Sequence, residues 1–170
     1  MTIVTQPLRD EHKDLWPHVE ALRTTADTVG EVPLKTLQRA IDEAYDFLAH
    51  HLIAHAQAEE RALYPVVQQL MGAPEATATM RRDHVEVGRL TEELGALRVQ
   101  LIGAASITLP QSKTLRRVLY GLYALLKVHF AKEEEVYLPL LDARLSRAEA
   151  EHMFAAMEEA AQAARGALPA

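Results

Sequence analysis

Two short stretches of the chain share one layout: His55, Glu59, Glu60 and Pro65 recur as His129, Glu133, Glu134 and Pro139, at equal offsets. On a helix, a His and a Glu four positions apart stand about 40° apart around the axis and about 6 Å along it, so both can reach one cation. Helical counting places Leu37, Ile41, Ala44, Leu48, His51, Ala62 and Val66 on the face of His55 and Glu59. It places Leu115, Val118, Leu122, Leu125, Val136 and Leu140 on the face of His129 and Glu133. A carboxylate inside such an aliphatic stripe loses its water, and leaving it without a partner costs several kcal/mol. Each pair therefore either closes a buried hydrogen bond or holds a cation.

The absence of cysteine narrows the cation's ligands to nitrogen and oxygen and removes thiolate, disulfide and iron–sulfur chemistry. A net charge of −6, with only the short basic pairs Arg81-Arg82 and Arg116-Arg117, gives no reason to expect nucleic acid as a partner. Residues Met1 to Asp10 lack the apolar core of a signal peptide, and no uncharged apolar run approaches membrane-spanning length. A cytoplasmic location is the expectation.

The chain reads as all-α, one domain of 170 residues rich in the helix formers Ala, Leu, Glu and Arg. A first helix is expected from Thr5 to about Thr28, kinked or split at Pro17, which lacks a backbone donor and crowds the preceding turn. A second opens after Pro33, carries His55 and Glu59, bends at Pro65 and ends near Met71. Gly72-Ala73-Pro74 turns the chain into a third, from about Glu75 to Leu101, and a fourth runs from about Pro110 to Leu141. Ser146 and Glu149 form a capping box for a fifth helix ending near Gly166, with a frayed tail from Ala167. Four long helices with short connections pack as an up-down-up-down bundle over about 5–141, with an additional C-terminal helix over about 146–165.

The halves repeat. His12 follows Arg9-Asp10-Glu11 and His84 follows Arg81-Arg82-Asp83, 72 positions later, while His55 and His129 lie 74 apart. Two tandem helical hairpins would each supply one His from the first helix and a His plus a Glu from the second. Four imidazoles and two carboxylates suit a pair of octahedral-leaning metals, iron first and manganese second, better than tetrahedral zinc.

The pattern His…His-x3-Glu…His…His-x3-Glu, with Pro ten residues after the second His of each half, resembles the hemerythrin-like family of His-His-Glu diiron bundles over about Leu8 to Leu140. The resemblance implies two iron ions in an Fe–O–Fe type centre. His12, His55, His84 and His129 would be imidazole ligands, and Glu59 and Glu133 bridging carboxylates. Oxygen-carrying members have a second His four residues after the third-helix ligand, where this chain has Gly88, and His-x4-Asp on the fourth helix, where it has His129-x3-Glu133. Reversible oxygen carriage is therefore not what the resemblance points to. Gly88, whose counterpart in the first half is Trp16, would leave a small pocket beside the second metal. His51, on the face of His55, and Tyr45, about 80° from it, are candidates for contact with the site.

The resulting expectation is a non-heme diiron protein that decomposes hydrogen peroxide or a related small oxidant. Binding or sensing of O2, nitric oxide or iron without turnover is the alternative. Its partner would be a small molecule, and the chain a monomer or weak homodimer.

Overall fold

A computed structural model describes residues 3–166; the tail from Ala167 lies outside the described residues. The fold is a helical bundle, and among the described residues there is no strand. Helix α1 is Gln6–Thr28. Helix α2 covers residues 34–71 as the continuous segments Leu34–Asp46, Phe47–Leu52, Ile53–Ala58, Glu59–Leu63 and Tyr64–Met71. Helix α3 is Ala78–Leu101. Helix α4 joins Leu109–Lys132, Glu133–Tyr137 and Leu138–Arg144, and α5 is Arg147–Gly166.

The ends follow from local chemistry. Gly72 closes α2 in the left-handed conformation, at φ 63°, which costs a glycine nothing. Thr108 and Gln111 form a reciprocal capping box for α4, and Ser146 and Glu149 do the same for α5. Thr5 does not cap α1 with its side chain; its hydroxyl and its N–H both donate to Asp142 at the end of α4. Pro17 does not split α1. Both Pro17 and Lys13, whose carbonyl loses its intrahelical donor, are exposed, so water can satisfy that carbonyl.

Three stretches widen into π-helical turns: Phe47–Leu52, Glu59–Leu63 and Glu133–Tyr137. The last two begin at the paired glutamates and end just before Pro65 and Pro139. A proline cannot donate to the carbonyl four residues back and its ring crowds that carbonyl, so the turn ahead of it relaxes to a wider spacing.

Helix α1 packs along α4 and the start of α2, α3 packs against α4 and α2, and α5 lies against the middle of α2. Two apolar clusters result. The larger contains Val19, Leu22, Leu48, Leu94, Leu119 and Leu122; the smaller contains Leu8, Leu63, Met80, Leu138 and, from α5, Met153 and Met157. Between them in all four long helices fall the histidines and glutamates of the repeated motif. No described helix is long and apolar enough to cross a membrane.

Candidate metal centre

His12, His55, Glu59, His84, His129 and Glu133 converge in this polar layer. Glu59 and Glu133 have no solvent exposure, and the three histidines from α1, α2 and α4 are buried as well. The oxygens of Glu59 divide between two imidazole pairs. Its Oε1 lies 3.0 Å from His55 Nε2 and 3.9 Å from His12 Nε2, and its Oε2 lies 3.4 Å from His84 Nε2 and 4.0 Å from His129 Nε2. Glu133 repeats the division, with Oε2 3.4 Å from His12 Nε2 and Oε1 3.5 Å from His129 Nε2. Two groups of side chains offer ligand atoms within 4.8 Å of one another: His12, His55 and Glu59, and Glu59, His84 and His129.

Behind each ring stands a carboxylate. His12 Nδ1 is 2.8 Å from Glu134, His55 Nδ1 2.9 Å from Glu11, His84 Nδ1 2.8 Å from Glu60 and His129 Nδ1 3.1 Å from Asp83. An ionised carboxylate only accepts, so each Nδ1–H donates outward and each Nε2 turns inward, the orientation that metal-binding histidines adopt. Three of these carboxylates carry a further cation: Arg9 on Glu134, Arg81 on Glu60 at 3.2 Å and Lys132 on Asp83. Glu11, half-exposed, has no Lys or Arg among its described partners.

The inner atoms are poorly served by the protein itself. His12 Nε2, His55 Nε2, both oxygens of Glu59 and Glu133 Oε2 are buried with no hydrogen-bond partner, since the short contact of His55 with Glu59 lacks hydrogen-bonding geometry. Burial presses both carboxylates towards the neutral form. At Glu59 the surrounding imidazoles, His55 foremost, outweigh it and hold the carboxyl well below its usual range. Glu133 is pushed up to about 7 by burial and by the charge of Glu59. Burial alone would favour neutral imidazoles, but the carboxylates win: His129 rises to about 9 through Asp83, Glu59 and Glu133, and His12 and His55 rise as well. These imidazoles would give up protons to a cation that bound Nε2. Inward nitrogens, two carboxylates facing both imidazole pairs, and orphaned buried acceptors fit two cations held by nitrogen and oxygen.

Tyr64, which the spacing of the repeated His and Glu does not single out, belongs to this layer. It is fully buried, donates its hydroxyl to Glu133 Oε1 at 3.1 Å and stands 3.3 Å from His84 Nε2. Burial and the two carboxylates hold its ionisation well above the ordinary tyrosine range. The structure sets the two other candidates elsewhere. The Tyr45 ring lies beneath the Arg98 guanidinium, 5.1 Å from its centroid, and beside Gly95. His51 is exposed and lines a cavity between α1 and α2 with His18, Phe47 and Asp46. The π-helical turn Phe47–Leu52 lies between Tyr45 and His55, and one inserted residue is worth about 100° of rotation, enough to carry Tyr45 away from the centre. A Cβ added at Gly88 would meet no heavy atom within 4 Å.

No curated protein and no solved structure gives a significant match to the chain. A family model does: the hemerythrin HHE cation-binding domain matches residues 4–141, which take in α1 to α3, α4 as far as Leu141 and every side chain of the inner layer but leave out α5. The chain belongs to the hemerythrin HHE cation-binding family.

Proposed function

We propose that the chain holds a diiron centre and disproportionates hydrogen peroxide, two molecules giving two of water and one of oxygen. The observation that carries this reading is the division of the Glu59 and Glu133 oxygens between the His12/His55 pair and the His84/His129 pair. That arrangement suits two cations side by side rather than one. His12 and His55 would hold the first, His84 and His129 the second, with Glu59 and Glu133 across both. When bound, two adjacent irons supply the two-electron exchange that peroxide disproportionation requires.

The chain's own contribution is orientation and exclusion. Glu134, Glu11, Glu60 and Asp83 fix the four rings with Nε2 inward. The apolar clusters on either side keep bulk water from the layer, which strengthens the field of the two carboxylates. In this reading α1 to α4 alternate in direction as an up-down-up-down bundle, each hairpin delivering half of the ligands, and α5 is an addition packed on α2.

The test is metal analysis of protein expressed with ample iron, followed by an oxygen-electrode trace after peroxide is added. About two irons per chain and steady oxygen release, both lost in His55→Ala, are expected. Full loading without oxygen release would replace turnover by binding or sensing of O2 or nitric oxide, and loading at one iron per chain would remove the binuclear reading.

A further inference from the structure

The repeat makes the two metal positions comparable, and their flanks differ at three matched places. The repeat matches Trp16, Phe130 and Leu138 of the first flank to Gly88, Ala56 and Tyr64 of the second. Phe130 stacks on His12, centroids 4.7 Å apart and planes 12° from parallel, and Trp16 packs towards Phe130 at 6.5 Å. Leu138 is fully buried and brings no polar atom. The His84/His129 position has instead a phenol, with Gly88 in place of the tryptophan. Gly88, one turn after His84 on the same face of α3, has open space where a Cβ would stand. Tyr64 stacks on His84 at 5.6 Å and 13°, and its O–H is the one hydroxyl among the described residues that bonds to the inner layer.

We propose that the centre takes its small exogenous ligand, an anion or peroxide, at the His84/His129 position, and that Tyr64 is the hydrogen-bond donor that holds it there. At the His12/His55 position the Phe130 ring, with Trp16 packed towards it, lies over His12, and among the described residues no hydroxyl bonds to the layer there. The phenol is near both partners it needs: rotating its O–H away from Glu133 Oε1 aims it at a ligand beside His84 without moving the ring. This inference rests on the binuclear reading above, but it concerns where a ligand sits and not whether peroxide turns over.

Azide is the probe, titrated into the iron-loaded protein and followed by absorbance, with iron per chain measured in the same samples. Tyr64→Phe keeps the iron content and binds azide roughly 10- to 100-fold more weakly, the range for losing one hydrogen bond to a charged group. Tyr137→Phe serves as the control, because Tyr137 donates to the Ala76 carbonyl at 2.8 Å and not to the layer; its azide affinity stays at the wild-type value. In the wild-type protein alone, the azide stretching band shifts between H2O and D2O, and the shift disappears in Tyr64→Phe. Unchanged azide affinity in Tyr64→Phe at full iron content overturns the proposal, as does a wild-type band that ignores deuterium. A visible phenolate charge-transfer band lost in Tyr64→Phe would also overturn it, since the phenol would then be an iron ligand. Weaker azide binding without any oxygen release in the peroxide assay would leave this inference standing and remove only the catalase-like reading.

Discussion

Stripping the metal should cost this protein a large part of its thermal stability. The five orphaned atoms of the inner layer, His12 Nε2, His55 Nε2, Glu59 Oε1, Glu59 Oε2 and Glu133 Oε2, are buried without partners. A buried polar atom left unpaired costs about 1–3 kcal/mol, so even at the low end the group costs about 5 kcal/mol. The whole stability of a domain is only about 5–15 kcal/mol. A change of 1 kcal/mol moves Tm by about 2–4 °C in a chain of this size, so full loading should raise Tm by about 10–20 °C. The assay is differential scanning calorimetry of chelator-stripped protein, of the same protein reloaded with iron, and of a manganese-loaded sample, with metal content measured in each. Melting points within about 2 °C of one another at confirmed full and zero loading would refute the reasoning. They would mean that the six side chains satisfy one another.

Glu11→Gln should lower iron affinity by roughly 10- to 100-fold, because Glu11 fixes the His55 ring from behind; competition with a calibrated chelator measures it, and an unchanged affinity would show that His55 is oriented by packing alone. Gly95→Ala should destabilise by about 1–3 kcal/mol, since the added Cβ would stand 2.8 Å from Tyr45 Cε2, inside contact distance of a ring held under Arg98; the urea midpoint reports it, and an unmoved midpoint would show that Tyr45 gives way freely. Asp142 feels burial, which raises its pKa, but the Thr5 N–H and hydroxyl and Arg9 outweigh that and hold it below the usual value. With a folded pKa below the unfolded one, its stabilisation is present above about pH 4 and is lost as pH falls through the folded value. Asp142→Asn should therefore lose less urea stability than wild type between about pH 4 and pH 2.5, and parallel acid limbs would show that the Thr5 contacts contribute nothing to the folded state.

The inner layer was legible because its rule is periodic: a His and a Glu at i and i+4 in an apolar stripe, present twice, can be found without coordinates. Helix ends at Gly72 and Ser146 were legible for the same reason, since each has a local mechanism, whereas the Thr108 cap that opens α4 at Leu109 was not read. What escaped has no period. Tyr64 differs from any packing tyrosine only by where its hydroxyl lands, 69 positions away on Glu133. Glu11 and Asp83 stand out in the sequence only as neighbours of His12 and His84, yet each reaches across to the histidine of the neighbouring helix. Tyr45 was placed by counting at a constant 100° per residue, and the π-helical turn before His55 breaks that count.

The outer layer shows how the repeat encodes more than ligands and where it stops. Arg9 precedes His12 by three positions and reaches Glu134, the partner of His12; Arg81 precedes His84 by three and reaches Glu60, the partner of His84. A second chain, Lys132 to Asp83 to His129, should have an equivalent through Glu11 to His55, but the position matching Lys132 is Ala58. Ala58 is buried in the smaller cluster beneath α5, and it lines a cavity there with Met157, Phe154 and His55. Glu11 and, from α5, Arg165 line the same cavity, and Glu11 is the half-exposed member of the four. Of the four imidazoles, it is His55 whose orientation rests on a carboxylate open to solvent.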